Sequence, residues 1–474
     1  MMGAWGRWLV LAGCTTRTAC VLSSLPVAEW EGLPASRHAE FLEHFWQREP
    51  LLIRGLLRRE EVATYCPLTP EELVEYSCFA ETEARIVRER CGAQHWQLLR
   101  GPFEEELFST LPTKGWTLLV QQVDQLHPAV AQLREHFSFV PRWRMQDVMV
   151  SYAPPGGSVG AHVDNFDVFL VQGRGTRRWE IEAQPRSAAE ESLLPGVGVR
   201  VLTNFASDCS HELAPGDALY LPPRFAHLGV STHASCMTYS VGFRAPSRAE
   251  LVESFASLVA RQHPEDDRYT DLGLPILAEG EQGAIHSAAV HRLRELVRSA
   301  LDAALDDDAL VERWAGSVLT KPPPSAAHLS SPERHMPMAA PAWEEEEGDE
   351  EEWGAEGAEV DEDLKSLDVE PPLSPAQIVE AIQNGSTAIS WLNHAEGSKF
   401  AFTRGSGVGA ASRLFVDGEE IAFGPDAAEH VRILCSSSRV SSKSLRPAFD
   451  ASKSFSLLVE ELLLQDLLWA DLPF

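Results

Sequence analysis

The sequence predicts an α+β protein built around a strand-rich sandwich or barrel of the jelly-roll kind. Short β-rich runs recur between residues 115 and 250, helical periodicity replaces them up to about residue 318, and a smaller mixed module fills 371–474. With 44% hydrophobic and 23% charged residues, the 474-residue chain is not wholly disordered. Its length allows two to four domains of roughly 100–200 residues each.

Six runs of strand-forming residues define the central region. Turn sequences such as Pro-Pro-Gly-Gly (154–157) and Pro-Gly-Asp (215–217) separate them. Upstream, the spacing is helical and then strand-like up to residues 50–54, and it is helical again over 70–79, after a proline start. The six runs are GWTLLVQQV (115–123), DVMVSYA (147–153), DVFLVQG (167–173), RRWEIEA (177–183), DALYLPP (217–223) and CMTYSVGF (236–243).

Composition changes after this region. Apolar residues recur every three or four positions in ELVESFASLVARQ (250–262) and in HRLRELVRSALDAALDDDALVERW (291–314), as in amphipathic helices. A Pro/Ser/Ala-rich stretch (320–343) and an acidic stretch (344–363) follow, and their composition is typical of a linker. We therefore divide the chain into an N-terminal extension (1–30), a strand-rich domain (31–247), a helical region (248–318), a linker (319–370) and a last module (371–474).

The last module combines helices and strands. It opens with a helix in SPAQIVEAIQNG (374–385), in which serine caps and glycine stops the helix. A hairpin with an Asp-Gly turn follows in SRLFVDGEEIAF (412–423). The apolar SFSLLVEELLLQDLLWADL (454–472) is expected to form one closing helix that packs against a core.

The charge balance limits the partners. With 40 basic and 70 acidic residues the formal net charge is −30, which disfavours nucleic acid and anionic membranes and favours basic proteins. Residues 344–363 hold 13 acidic and no basic residues, and without them the net charge is −17. A block of like charges is usually a solvated linker, and the alternative is a tether for a basic partner.

The cysteine pattern and the N-terminus bear on the compartment. None of the eight cysteines forms a Cys-x-x-Cys pair, which favours free thiols in a reducing intracellular compartment. No stretch of about 18 apolar residues predicts a transmembrane helix. Residues 1–28 contain two arginines and no acid before Glu29. They are either an organellar (mitochondrial or plastid) transit peptide or an inert extension of a cytoplasmic protein.

One motif in the strand-rich zone suits a metal. His162 and Asp164 form His-x-Asp just after a glycine-rich turn, and on a strand these positions would share one face. Three other His-x-acid triplets, which begin at His38, His263 and His394, show that the motif alone is weak. A facial triad for non-haem Fe(II) needs a second histidine. His211, His227 and His233 are the candidates, and His227 is preferred because it follows the run 217–223. The alternative is a surface polar pair with a separate capping histidine.

Around these residues the sequence resembles the JmjC-type ribosomal oxygenases, which are 2-oxoglutarate- and Fe(II)-dependent protein hydroxylases. It is most similar to their bacterial arginyl-hydroxylase branch. The resemblance covers roughly residues 38–320 and, more weakly, 371–474. The stretches that carry it are FWQREPLLIRG (45–55), RGPF (100–103), MVSYAPPGGSVGAHVDNFDVFLVQGRGTRRWEI (149–181), LAPGDALYLPPRFAHLGVS (213–231) and MTYSVGFRAPS (237–247).

The resemblance implies a site. It makes His162, Asp164 and His227 the catalytic iron ligands, and Arg177 the residue that binds the distal carboxylate of 2-oxoglutarate. On a strand only one of Arg177 and Arg178 can face the interior. Ser151 would be a second contact to 2-oxoglutarate, the alternative being an ordinary strand hydroxyl. The implied cofactor is Fe(II), and the co-substrates are 2-oxoglutarate and O₂.

The resemblance also implies an architecture. Residues 31–247 would form a JmjC catalytic domain, a cupin-like double-stranded β-helix, and 248–318 would form a helical dimerisation region of a homodimer. Residues 371–474 would form a winged-helix-like module, for which the modest number of basic residues argues against DNA binding.

The implied substrate is an arginyl (or histidyl) side chain of a basic large-subunit ribosomal protein, with no direct contact to nucleic acid or membrane. The acidic chain suits such a partner. Asp147 and Asp167 are candidates to orient a guanidinium, although each also suits an ordinary strand-end or turn residue. A JmjC lysine demethylase and a non-catalytic acidic scaffold that binds basic proteins are the alternatives.

Overall fold

A computed structural model describes residues 27–89, 96–196, 198–273, 283–322, 373–395, 397–404 and 412–471. Residues 1–26 of the candidate transit peptide and the acidic segment 344–363 lie outside the described residues, whereas the end of the predicted N-terminal extension (1–30) already belongs to the first strand, Ala28–Glu31. In the ranges that the structure describes, no helix combines the length and the apolar character needed to span a bilayer.

Two facing sheets form the strand-rich region. The larger sheet has nine strands in the order β1-β2-β10-β7-β12-β6-β5-β3-β4, and the smaller has the order β11-β8-β9. All described pairings are antiparallel except that of β1 with β2. The strands are β1 (Ala28–Glu31), β2 (Leu51–Arg54), β3 (Ala84–Glu89), β4 (Trp96–Arg100), β5 (Trp116–Val120), β6 (Met145–Ala153), β7 (Asp167–Arg174), β8 (Arg177–Pro185), β9 (Cys209–Leu213), β10 (Ala218–Leu221), β11 (Phe225–Ser231) and β12 (Cys236–Phe243).

The larger sheet is buried on both faces. On β7, Phe169 and Val171 point into an aromatic-rich core, where Phe169 packs against Phe41 of α1. Val168 and Leu170 point the other way, into the space between the sheets. Double burial explains why this strand is continuously apolar instead of alternating. The helices that accompany this region are α1 (His38–His44), α2 (Arg59–Tyr65), α3 (Pro70–Ser77), α4 (Glu105–Thr110), α5 (Val123–Leu126) and α6 (Pro128–Leu133).

The jelly-roll architecture is confirmed, and each of the six runs in 115–243 contains a strand. The strand expectation for His162 and Asp164 was wrong. His162 makes one isolated bridge and Asp164 lies in a loop, because the chain leaves β6 through a glycine-rich segment before β7 begins. Conversely, β11 was not among the predicted runs.

Between the barrel and residue 322, the described residues form three helices, namely α7 (Arg248–Ala260), α8 (Ser287–Leu305) and α9 (Asp308–Thr320). They share a small core in which the rings of Phe255 and Trp314 meet edge to face at 5.0 Å. Another stripe of α8 is exposed to solvent. Its members are Val290, Leu293, Leu296 and Val297.

The C-terminal module has its own core. Its winged-helix-like character stays a prediction. Its helices are α10 (Pro375–Gln383), α11 (Val431–Ser436), α12 (Ser442–Ala451) and α13 (Lys453–Leu464), and its strands are β13 (Trp391–His394), β14 (Phe400–Thr403), β15 (Arg413–Val416), β16 (Glu419–Ile421), β17 (Arg439–Ser441) and β18 (Leu468–Ala470).

The expectation of a single closing helix over 454–472 was wrong at the C-terminal end of that range. The helix stops at Leu464, where Asp466 adopts a left-handed φ of 55°. The next amide, that of Leu467, donates to the Leu462 carbonyl at 2.9 Å, which closes a Schellman-type cap. The apolar residues beyond it form β18, which pairs with β13.

The module is bound to the rest of the molecule on two sides. Gly316 of α9 touches the ring of Phe415 so closely that a Cβ at residue 316 would lie 2.3 Å from ring atoms. Thr320, at the end of α9, accepts a hydrogen bond from the Gly418 amide at 2.9 Å. On the barrel side, Arg142 donates to the Ser436 carbonyl at 2.9 Å.

Candidate active site

Two histidines are paired through their backbones. The His162 amide donates to the His227 carbonyl at 3.0 Å, and the His227 amide donates back to the His162 carbonyl at 2.9 Å. The bridge connects the loop after β6 to β11 of the smaller sheet and leaves the ring centres 4.2 Å apart. The fold therefore fixes their relative position before any side-chain contact is considered.

Asp164 completes the cluster. Its Oδ2 lies 3.9 Å from Nε2 of His162 and 3.7 Å from Nε2 of His227. One ligand atom from each of the three residues lies within 4.8 Å of the others, so the three could hold one metal ion. Asp164 is the most accessible, with 44% of its side chain exposed against 2% for His227. His211 and His233 are not part of the cluster.

Both imidazoles are oriented by carbonyls. Nδ1 of His162 lies 2.9 Å from the Gly160 oxygen, and Nδ1 of His227 lies 2.9 Å from the Phe225 oxygen. A ring that donates from Nδ1 keeps a lone pair on Nε2, which is the nitrogen turned toward Asp164. Burial, and next the neighbouring His162, lower the pKa of His227 to about 4. His227 is therefore neutral at physiological pH, as a metal ligand must be.

The Asp164 loop is held by Arg224, which sequence reasoning missed. Arg224 has a left-handed φ of 75° and its amide donates to the Asp164 carbonyl at 2.7 Å. Its guanidinium also donates to the Asn165 side chain at 3.0 Å. The signal was the turn Pro222-Pro223-Arg224 directly before the strand that carries His227.

Arg177 and Arg178 point to opposite faces of β8. Arg178 is exposed and pairs with Glu180 at 3.2 Å, whereas Arg177 is only 4% exposed. Arg177 Nε contacts the Cys236 sulfur at 3.5 Å, and its Nη2 has no hydrogen-bond partner within the described ranges. A buried guanidinium nitrogen without an acceptor is costly, so this position fits an incoming carboxylate.

Ser151 contributes to a row of polar groups inside the barrel. It stands opposite Thr238 in the β6–β12 register, and its hydroxyl donates to the Thr238 carbonyl at 3.4 Å. Thr238 donates to Gln172 at 3.0 Å, and Gln172 approaches the Cys236 sulfur at 3.4 Å. This sulfur is the one that Arg177 contacts, so Ser151 and Arg177 belong to one buried polar row.

A cavity of about 430 Å³ opens beside the cluster. Its lining includes His162, Asp164 and the partly buried Asp147. Asp147 accepts a hydrogen bond from the Gln122 amide at 3.3 Å. Burial, and next the nearby Asp124, raise the pKa of Asp147 to about 7.

Unlike Asp147, Asp167 has a carboxylate that is already occupied by protein partners. Its carboxylate has no exposed surface and accepts hydrogen bonds from Tyr220 at 2.6 Å and from Arg144 at 3.0 Å. Gln47 donates a third at 3.2 Å. These contacts tie the turn after α1 to the barrel and occupy the carboxylate that was expected to orient a substrate.

The donor set fits the expected groups. Two imidazoles and one carboxylate on one side suit Fe(II) with open coordination positions. The unsatisfied Nη2 of Arg177 suits the distal carboxylate of 2-oxoglutarate. Both groups would lie within the same barrel interior.

Several known proteins match this chain in sequence. The family model described as the JmjC domain matches residues 132–251. The chain is 34% identical over 284 residues to a probable ribosomal oxygenase of Haemophilus influenzae, a match that covers 59% of this chain and 68% of that protein. It is 36% identical over 236 residues to the ribosomal protein uL16 3-hydroxylase of Escherichia coli, with 50% and 60% covered.

Solved structures agree with these relatives. The structure of YcfD, a ribosomal oxygenase from Escherichia coli, matches with a TM-score of 0.65 at 26% identity, over 91% of this chain and 97% of YcfD. YcfD has also been solved in complex with cobalt and 2-oxoglutarate. Fold and site define an oxygenase of the JmjC class that uses Fe(II), 2-oxoglutarate and O₂. The chain belongs to the ribosomal oxygenase family.

Proposed function

We propose that this oxygenase hydroxylates an arginyl, rather than a histidyl, side chain of a basic large-subunit ribosomal protein. The observation that carries the choice is the carboxylate of Asp147 in the wall of the cavity next to the His162–Asp164–His227 cluster. A carboxylate at this place attracts a cation and can accept two parallel N–H bonds from a guanidinium. The uL16 3-hydroxylase of Escherichia coli supports a ribosomal protein as substrate.

We propose that His162, Asp164 and His227 hold the iron and that Arg177 and Ser151 hold 2-oxoglutarate. Bound together, these groups supply the oxidising power that inserts one oxygen atom into a C–H bond. The protein provides orientation. Gly160 and Phe225 fix the two imidazole rings through their carbonyls.

Arg177 would anchor the distal carboxylate of 2-oxoglutarate, and the sheets around it would exclude water. Asp147 would place the substrate side chain by binding its cationic end at the cavity wall. Its partial burial strengthens that attraction, because a desolvated carboxylate interacts more strongly with a cation.

We also propose that the chain forms a homodimer through α8. The exposed stripe of this helix presents Leu293 and Val297 one turn apart, 48% and 62% exposed. Solvent-exposed apolar stripes of this kind mark association surfaces. The family resemblance supports the choice of this region for dimerisation.

Intact-mass analysis tests the substrate. The purified full chain, with Fe(II) and 2-oxoglutarate, is incubated with the large-subunit ribosomal proteins of the same cell. One basic ribosomal protein should gain one oxygen atom, about 16 Da, and fragmentation should place it on an arginine.

The His162→Ala variant should abolish the mass increase, and His263→Ala, an exposed histidine outside the cluster, should preserve it. A protein that binds metal and 2-oxoglutarate but oxidises no ribosomal protein would contradict the proposal. A gain on histidine would refute the arginyl choice, and release of formaldehyde from a methylated lysine would point to the demethylase alternative.

A further inference from the structure

A cavity of about 630 Å³ lies where the barrel, the helical region and the C-terminal module meet. The strand-rich domain contributes Trp143 and Arg244 to its wall, and the residue after α7 contributes Arg261. The C-terminal module contributes Lys399. This cavity shares no residue with the one beside the metal cluster. Its wall also includes Pro322, the last described residue before the acidic segment.

The ammonium group of Lys399 has no acidic partner. The residue is 8% exposed, and among the described residues no carboxylate lies within ion-pairing distance of it. Asp417 binds the surrounding turn instead, since its carboxylate accepts from the Lys399 amide and from the Ser398 hydroxyl, both at 2.7 Å. Lysine is almost never buried without a counter-charge, because desolvation of the ammonium is then uncompensated. Lys399 therefore marks a place that an anion would complete.

Positive charge predominates around the cavity. Four cations and two carboxylates line it, although the whole chain has a formal net charge of −30. One carboxylate is already occupied, since Glu250 pairs with Arg244 and accepts from the Ser247 amide at 2.6 Å. The three remaining cations form no ion pair within the described ranges and face a single remaining carboxylate, that of Glu253. These three cations are Arg261, Lys321 and Lys399.

The surroundings of Lys399 are unfavourable to its charge. Burial, and next Arg134 and Arg244, lower the pKa of Lys399 to about 8. The carboxylates of Asp147 and Asp417 offset this shift only in part. The amine is still mostly protonated at neutral pH, and an anion in the cavity would compensate its charge.

The chain itself carries a matching anion. Residues 344–363 hold 13 acidic and no basic residues, and they begin 22 residues after Pro322 in the cavity wall. An extended chain of that length spans up to roughly 70 Å, so the segment can return to the cavity. The sequence then continues to Leu373, the first described residue of the module that contributes Lys399. A ligand on such a tether meets its site at an effective concentration on the order of millimolar.

We propose that the acidic segment 344–363 docks in this cavity and that its carboxylates bind Lys399, Arg261 and Lys321. The segment would thereby connect the barrel, the helical region and the C-terminal module at the point where they meet. The sequence alone suggested a solvated linker or a tether for a basic partner, and the cavity adds a basic partner within the same chain. The inference is independent of the proposed substrate and of the metal site.

The test uses the full chain in which glycine and serine replace residues 344–363, together with a fluorescein-labelled peptide that has the sequence of this segment. Fluorescence anisotropy at physiological salt should show saturable binding of the peptide to the replaced chain. Binding to the wild-type chain should be about tenfold weaker or less, because the covalent segment competes for the cavity. Equal affinity for the two proteins would overturn the inference.

Substitutions in the replaced chain locate the binding site and separate it from the general effect of net charge. Lys399→Met and Arg261→Met should each weaken peptide binding about tenfold, the effect of one charge-assisted hydrogen bond. Arg261 is exposed, so its substitution tests the cavity even if Lys399→Met impairs folding. Lys453→Met removes the same charge at an exposed lysine of the C-terminal module outside the cavity and should leave the affinity unchanged. Equal affinity in all three variants would contradict docking in the cavity.

A free anion from solution is the other possible occupant. Calorimetric titration of the wild-type chain with citrate or with inorganic phosphate distinguishes it from the covalent segment. The wild type should show no binding that depends on Lys399, because the segment fills the cavity. Binding that Lys399→Met abolishes would assign the cavity to a free anion and would refute the acidic segment as its occupant.

Discussion

The guanidinium of Arg177 lies over the ring of Trp179, with 5.6 Å between the Arg177 Cζ and the ring centre. The same ring is 5.8 Å from the imidazole of His227. Trp179 thus connects the proposed 2-oxoglutarate anchor to a proposed metal ligand. It holds the guanidinium plane in place and occupies space that water would otherwise fill.

Arg177→Met should raise KM for 2-oxoglutarate by roughly 10- to 100-fold, since one charge-assisted hydrogen bond to a carboxylate contributes about 1.5–3 kcal/mol. Succinate formation at varied 2-oxoglutarate concentration measures the effect. Arg178→Met is the matched control, because Arg178 is the exposed neighbour on the same strand. Equal effects in the two variants would contradict the assignment of Arg177.

His162→Ala should abolish tight metal binding while the fold is retained. The backbone bridge between residues 162 and 227 does not depend on the imidazole, so far-UV circular dichroism should be unchanged. Titration with Co(II), followed through its visible absorption, reports binding. His263→Ala should titrate like the wild type, and a His162→Ala protein that still bound Co(II) tightly would place the metal elsewhere.

The pH dependence should follow Asp147. Its pKa is raised to about 7, so the carboxylate is charged at pH 8 and mostly protonated at pH 6. Attraction for a guanidinium is lost as pH falls, and kcat/KM for the ribosomal substrate should drop about tenfold between pH 8 and pH 6. Asp147→Asn should have low kcat/KM at both pH values. A wild-type profile that is flat over this range would separate Asp147 from substrate binding.

The double variant Leu293→Glu, Val297→Glu should convert a dimer to a monomer. Two charges in the middle of an apolar interface cost several kcal/mol unless they are paired, which outweighs a typical helix–helix contact. Light scattering coupled to gel filtration measures the mass. Leu457→Glu, at a residue 55% exposed on the C-terminal module, is the control and should not change it.

Local patterns in the sequence predicted most of the barrel because burial on both faces makes strands such as β7 continuously apolar. Strand β11 was not predicted from the sequence because glycine, histidine and serine interrupt its apolar residues. Its seven residues nevertheless form the strand that pairs with β8. The C-terminal end of α13 was not predicted, for a different reason. The composition of the apolar run does not change where the chain leaves the helix and joins the sheet. Only the left-handed backbone of Asp466 marks the end of the helix.

The site residues came from spacing and family resemblance, but the reason that they meet is tertiary. His162 was expected on a strand and instead meets His227 through one isolated bridge. The sequence pattern also could not decide which of Asp147 and Asp167 is available to a substrate, because both stand near strands of similar composition. Both residues line the cavity, and only the packing shows that Tyr220 and Arg144 occupy the fully buried Asp167 carboxylate, whereas Asp147 is partly exposed.

The close packing of Gly316 on Phe415, and the hydrogen bond from Gly418 to Thr320, have a consequence for the peptide chain between residues 322 and 373. The two ends of that stretch belong to surfaces that already adhere to each other. Covalent continuity through it is thus not what keeps the terminal module beside the barrel. A protease cut there would yield two fragments that migrate together under native conditions.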